Sequence, residues 1–164
     1  MKLRIIILLT VIFCTAASAF ADGLSVEAGQ GIFHSADSRA VFIGYQMDSS
    51  FSIYSLNFYY KGAIGSWNGH NANNTAILAL GIVMNLPEKW YLCFEPGGAY
   101  VEETTENLGT NLQFALRFAA GMKIDKIDIS MAFRHFSNGD GIFDWSDTPN
   151  FGDNFLTLQA AYLF

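Results

Sequence analysis

Cysteine, proline and charge are all scarce in this chain. It has two cysteines, Cys14 and Cys93, three prolines, and only 15% charged residues in a length of 164. Typical soluble domains carry about 25% charged residues. Basic residues are the scarcer sign, nine Lys and Arg against fifteen Asp and Glu, for a net charge of −6. That balance argues against nucleic acid as a partner. Beyond the N-terminal segment, no stretch reaches the ~18 uninterrupted apolar residues of a membrane helix. What is abundant is apolar: 51% of the residues are hydrophobic and 15% aromatic, with a mean hydropathy of +0.24.

The first residues, MKLRIIILLTVIFCTAASAFADG, have the three parts of a secretory signal peptide. Lys2 and Arg4 form a basic start. Ile5 to Phe13 form an apolar core too short to span a bilayer. Ala17-Ser18-Ala19 and Ala19-Phe20-Ala21 are small-x-small cleavage sites. We therefore expect residues 1–21 to be removed and 22–164 to form the mature domain. The bulky Phe13 before Cys14 argues against a lipid anchor there. Loss of Lys2 and Arg4 leaves seven of the nine basic residues against all fifteen acidic ones, so the mature charge is −8. Cys14 leaves as well, so Cys93 has no internal disulfide partner. A small buried or lumen-facing side chain is a better reading of Cys93 than a thiol nucleophile.

The mature chain alternates between apolar and other residues again and again. Leu112, Phe114, Leu116, Phe118 and Ala120 share one face, opposite Gln113, Ala115, Arg117 and Ala119. Leu156, Leu158, Ala160, Tyr162 and Phe164 share another, opposite Thr157, Gln159 and Ala161. Eight such segments are expected, near 24–34, 39–48, 51–61, 74–85, 89–101, 111–123, 126–136 and 154–164. The third reads in either phase. Each has about the length of a transmembrane β-strand. The links alternate too. Ser35–Ser38, Ala63–Asn73, Glu102–Thr110 and Ser137–Asp153 are the longer ones. Ser49-Ser50, Leu86-Pro87-Glu88 and the Lys123–Lys126 region are tight. This pattern predicts an all-β fold, an eight-stranded antiparallel transmembrane β-barrel whose even strand count lets it close. The aromatics Tyr54, Phe58, Tyr59, Tyr60, Trp67, Trp90 and Tyr91 lie near strand ends, as interfacial girdles do. A soluble lipocalin-like barrel would turn its apolar face inward. The faces holding Glu27, Gln46, Glu95, Gln113, Arg117, Asp128, Arg134 and Gln159 argue instead for a polar, side-chain-filled lumen.

The seventh strand ends in FRHFSNG, residues 133–139. With both termini periplasmic, it runs outward and ends at the extracellular side. His135 shares parity with Ile127, Ile129, Met131 and Phe133 on the lipid-facing side, and Ser137 follows on the same face. Two residues of strand span about 6.6 Å, a gap an imidazole and a hydroxyl can close by rotamer adjustment. Such a pair is a nucleophile and its base. Strand ends carry polar residues in any case, so an interfacial histidine is the alternative.

The wider stretch, RHFSNGDGI followed by PNFG and the last strand NFLTLQAAYLF, resembles the signature of the outer-membrane lipid A 3-O-deacylase family. Its motif is His-x-Ser-Asn-Gly/Ala, then Pro-Asn-x-Gly, then a final strand ending in an aromatic. The resemblance covers about the last 30 residues in order and spacing. Elsewhere it extends only to length, signal and strand count. It implies a serine esterase without metal or cofactor, removing the 3-O-linked acyl chain of lipid A in the outer membrane. Carried over, Ser137 is the nucleophile and His135 the base. Asn138, with N–H groups near Gly139, stabilises the oxyanion. The implied partners are lipid A or lipopolysaccharide and the membrane, and a homodimer stays open. Where the family has an acid, usually Glu, two positions after the Gly, this chain has Asn154. Parity puts Asn154 beside His135, with Asp153 turned the other way. Asn154 can fix the histidine tautomer but brings no charge. A substitute acid from Asp140, Asp144 or Asp147 is the alternative.

The competing reading is a non-catalytic small outer-membrane barrel with a structural or surface-binding role. The two are told apart by whether His135, Ser137 and Asn154 converge. Weaker candidates remain. NGDGIFDWSD suggests calcium but lacks EF-hand spacing. His34 and His70 read as surface residues without ligand spacing. GSWNGHNANN reads as a polar loop within reach of lipopolysaccharide sugars.

Overall fold

The computed structural model describes residues 21–139 and 150–164. All of the expected signal peptide but Ala21, Cys14 included, and the loop acids Asp140, Asp144 and Asp147 therefore lie outside the described residues. Eight strands follow in order: β1 (Ala21–Ile32), β2 (Arg39–Ile53), β3 (Leu56–Trp67), β4 (Asn73–Asn85), β5 (Trp90–Val101), β6 (Leu112–Ile124), β7 (Ile127–Ser137) and β8 (Asp153–Leu163). Each pairs antiparallel with the next, and β8 pairs with β1 from Gly23↔Leu163 to Ile32↔Asn154, closing the barrel. No described helix is long and apolar enough to cross a membrane; the crossing is made by strands, whose backbone groups pair with one another around the closed sheet.

The alternation seen in the sequence is the alternation of the walls. On β7, Ile127, Ile129 and Met131 are exposed, while Asp128, Ser130, Ala132, Arg134 and Phe136 are buried in the lumen. Leu156, Leu158 and Tyr162 are the outward residues of β8. The outward residues are large and apolar, as a lipid-facing surface requires.

The lumen is filled in layers. At mid-height Arg117 lies 3.1 Å from Glu27 and 2.8 Å from Glu95. Arg134 forks onto both oxygens of Glu27 at 3.1 and 2.9 Å. Lys61 reaches Glu95 at 3.3 Å and Gln159 at 2.8 Å. Charges out of water persist only when paired in this way. Toward the extracellular end the filling becomes apolar: Phe42, Trp67, Phe136, Phe155, Leu108 and Val101 form one buried cluster. The guanidinium of Arg134 sits 4.6 Å from the Phe42 ring centre, joining the two layers.

Three expectations need correction. The β2–β3 turn is Tyr54-Ser55, not Ser49-Ser50. Ser49 instead donates its hydroxyl to the Phe58 carbonyl at 2.7 Å within an irregular stretch of the ladder, and pairing resumes at Ser52↔Asn57. β3 extends to Trp67, so half of the expected loop Ala63–Asn73 is strand, with its odd residues inward. Finally, Tyr59, Trp67 and Tyr91 belong to the lumen and not to a girdle. Tyr91 donates to Asp128 at 2.6 Å, and Tyr59 donates to Glu95. Each hydroxyl has a buried acceptor there that lipid would not offer.

Candidate active site

The end of β7 and the start of β8 are neighbours in the sheet, with His135 opposite Asn154 and Phe136 opposite Asp153. His135 and Asn154 both project to the outer face. Their side chains meet at 2.8 Å between Nδ1 and Oδ1. The Asn154 amide nitrogen is directed at the Gly152 carbonyl at 3.4 Å, which assigns its oxygen to the ring. Nδ1–H therefore donates, and Nε2 is left with its lone pair. Ser137, half-buried on the same face, opposes Phe114 of β6. Among the described residues no hydrogen bond joins the Ser137 hydroxyl to the imidazole. Such contacts are often long in ligand-free enzymes and tighten in the substrate complex. Flanking the pair on the outer wall are Leu112, Phe114 and Leu156, all exposed.

The turn into β8 shapes the floor of the site. Gly152 has φ +73, and a Cβ there would lie 2.7 Å from His135 Cε1. Only glycine takes this backbone and this approach without strain. Gly139, also at positive φ (77), turns the chain off the end of β7. The Asn138 backbone N–H donates to Asn150 Oδ1 at 3.0 Å, so that N–H is already engaged. Asn138 and Gly139 are both buried beside Ser137.

Behind His135 and Asn154, on the lumen side, three loops converge. Ser35 accepts a hydrogen bond from the Asn154 backbone N–H at 3.1 Å and donates to Asp153 Oδ1 at 2.8 Å. Asn107 donates to the same oxygen at 2.7 Å, and its carbonyl accepts from Gly152 N–H at 3.1 Å. Asp153 is fully buried and does point away from the outer face, as parity required. Beneath lie Trp67 and Phe155, ring centres 5.4 Å apart.

His135 and Asn154 are thus brought into contact, with Ser137 on the same face. Sequence reasoning missed Ser35 and Asn107, and used Asn150 only as part of a motif. The Pro-Asn-x-Gly spacing was a usable signal for Asn150. No local pattern marks the other two. His34, read as a lone surface residue, stacks at 5.3 Å on Phe151 at the rim of this site. His70 lies apart from it, exposed and 3.7 Å from Glu106. Cys93 is buried in the lumen, 3.2 Å from the Tyr59 hydroxyl. Among the described residues no three His, Cys, Asp or Glu side chains are grouped to hold a metal ion.

The fold has solved counterparts. One is described as the crystal structure of the outer membrane enzyme PagL, with a TM-score of 0.71 and 21% identity, covering 85% of this chain and 98% of that one. Another is the Yersinia pestis outer membrane protein Ail in a phospholipid bilayer nanodisc, with a TM-score of 0.52 and 11% identity, covering 87% and 99%. At these identities the likeness concerns the fold. No curated protein matches the chain in sequence. The family model described as lipid A 3-O-deacylase (PagL) matches residues 39–162, well over half of the sequence, and the chain therefore belongs to the lipid A 3-O-deacylase family of outer-membrane β-barrels.

Proposed function

We propose that Ser137, His135 and Asn154 carry out the family's deacylation in this chain, at the ester on the 3-position of lipid A. The observation that carries the reading is the 2.8 Å contact of His135 Nδ1 with Asn154 Oδ1, two residues from Ser137 on the outward face. Lipid A occupies the outer leaflet of the outer membrane, where this family resides, and a β7 that runs outward from periplasmic termini ends at that height.

His135 Nε2 takes the proton of Ser137 as its Oγ attacks the ester carbonyl. The Asn138 side chain and the Gly139 N–H stabilise the oxyanion in this reading. Collapse breaks the bond to the sugar oxygen, which leaves with the proton from His135. Water, deprotonated by the same imidazole, then attacks the acyl-serine and releases the fatty acid. Asn154 holds the ring in one tautomer throughout. Every residue named comes from one chain, so a homodimer would add no group to this machinery.

Lipid A from cells expressing the protein, weighed by mass spectrometry, should lack one hydroxyacyl chain. Ser137→Ala should cut the rate by at least about 10³-fold. Unchanged deacylation by a folded Ser137→Ala barrel would refute the assignment.

A further inference from the structure

Asn154 brings no charge, so among the described residues the imidazolium that forms at His135 has no charged partner on its own face. A carboxylate nevertheless lies one residue away. Asp153 opposes Phe136 in the ladder while Asn154 opposes His135. Its side chain passes to the lumen side of the same sheet, one ladder position from His135.

The surroundings of Asp153 are unusual for a structural carboxylate. It is fully buried. The side chains that donate to Oδ1 are neutral, Ser35 at 2.8 Å and Asn107 at 2.7 Å. Among the described residues no Lys or Arg pairs with it. The barrel's interior cations are spent on Glu27 and Glu95. A buried charge held only by neutral donors is costly, and such groups in membrane proteins tend to be functional. Ser35 also ties Asp153 to the catalytic face. Its oxygen accepts the Asn154 N–H at 3.1 Å while its hydroxyl donates to the carboxylate. Ser35 thus joins the acid to the backbone of the residue whose side chain orients His135.

We propose that Asp153 is a positioning residue for the deacylation. From the lumen side of β8, and with Ser35 as its link to Asn154, it supplies the negative charge that stabilises the His135 imidazolium. This rests on the Ser137–His135 assignment above.

The test relocates the charge. Purified barrels carrying Asp153→Asn or Ser35→Ala, each alone and together with Asn154→Glu, are assayed on lipid A by mass-spectrometric time course. Heat-modifiable gel migration checks the fold. Asp153→Asn keeps an acceptor at Oδ1 and removes the charge. It should lower kcat at least about tenfold, a modest part of what a general base contributes, with KM little changed. Adding Asn154→Glu to it should restore most of the loss, because a charge is again beside the ring. A loop-holding role for Asp153 would give no such rescue.

Ser35→Ala removes the hydroxyl that donates to the carboxylate and should lower kcat at least about threefold, with KM little changed and with Asn154→Glu restoring most of the loss; this arm stands even if Asp153→Asn fails to fold. Wild-type rates in Asp153→Asn or in Ser35→Ala, or no rescue in either double variant, would each overturn the inference. If Ser137→Ala is as active as wild type, the underlying assignment falls and the inference with it. If only the Asp153 variants behave normally, the inference falls alone.

Discussion

Two residues of spacing place His135 and Ser137, but Gly152 decides how the imidazole stands. The ring passes so close to its α-carbon that a methyl group would sit 2.7 Å from Cε1, and the backbone there is left-handed at φ +73. Gly152→Ala should therefore tilt the ring off Asn154. We expect kcat to fall at least about tenfold, the scale on which a small misplacement of a catalytic group acts. Gel migration and the unfolding midpoint should show a barrel that still forms. A variant with wild-type kcat would mean that the loop yields instead of the ring. Parity alone had put His135, Ser137 and Asn154 on one face and turned Asp153 inward, because a strand has only two faces and both were marked by their neighbours. Ser35 and Asn107 were beyond such reasoning. They reach Asp153 across 118 and 46 residues, through loops whose paths no local periodicity encodes.

Among the strands, those with large apolar residues on every second position were bounded well by sequence, and β2 and β3 were not. In Gly62-Ala63-Ile64-Gly65-Ser66 every side chain but Ile64 is too small to show a face, so the stretch reads as loop. Its glycine is in fact required by packing: Gly65 stands opposite Phe42, whose ring lies across it. The neighbouring hairpin was misplaced for a related reason, since Ser49-Ser50 looks like a turn but is an irregularity within paired strands. The true turn puts Tyr54 at φ 55, fully exposed. A left-handed conformation costs a tyrosine about 1–2 kcal/mol, whereas asparagine tolerates it. Tyr54→Asn loses no protein contact. It should raise stability by about 0.5–1 kcal/mol, seen as a higher denaturant midpoint with unchanged activity. A lower midpoint would show that the ring anchors the barrel in its detergent or lipid surround.

The whole molecule admits substrate from one direction only. Arg117, Glu27, Glu95 and Lys61 occupy the lumen at mid-height, and the aromatic cluster of Phe42, Trp67, Phe136 and Phe155 caps it above. Eight strands leave just enough interior for side chains, so no acyl chain can come through the barrel. The outer wall beside Ser137 is the reverse, a continuous apolar surface of Leu112, Phe114 and Phe118 on β6 and Leu156 on β8. An ester must therefore arrive sideways, from within the leaflet, with its chain along that wall. The rate should then follow the substrate's concentration in the membrane plane and not in the bulk. Diluting lipid A with inert detergent in mixed micelles, at fixed total lipid A, should slow the enzyme roughly in proportion to the surface mole fraction. Diluting the whole suspension at fixed mole fraction should leave the rate per enzyme nearly unchanged once the barrel sits in the same micelles. Equal sensitivity to both dilutions would indicate capture from water through the extracellular loops, and the outward placement of His135 and Ser137 would then need another explanation.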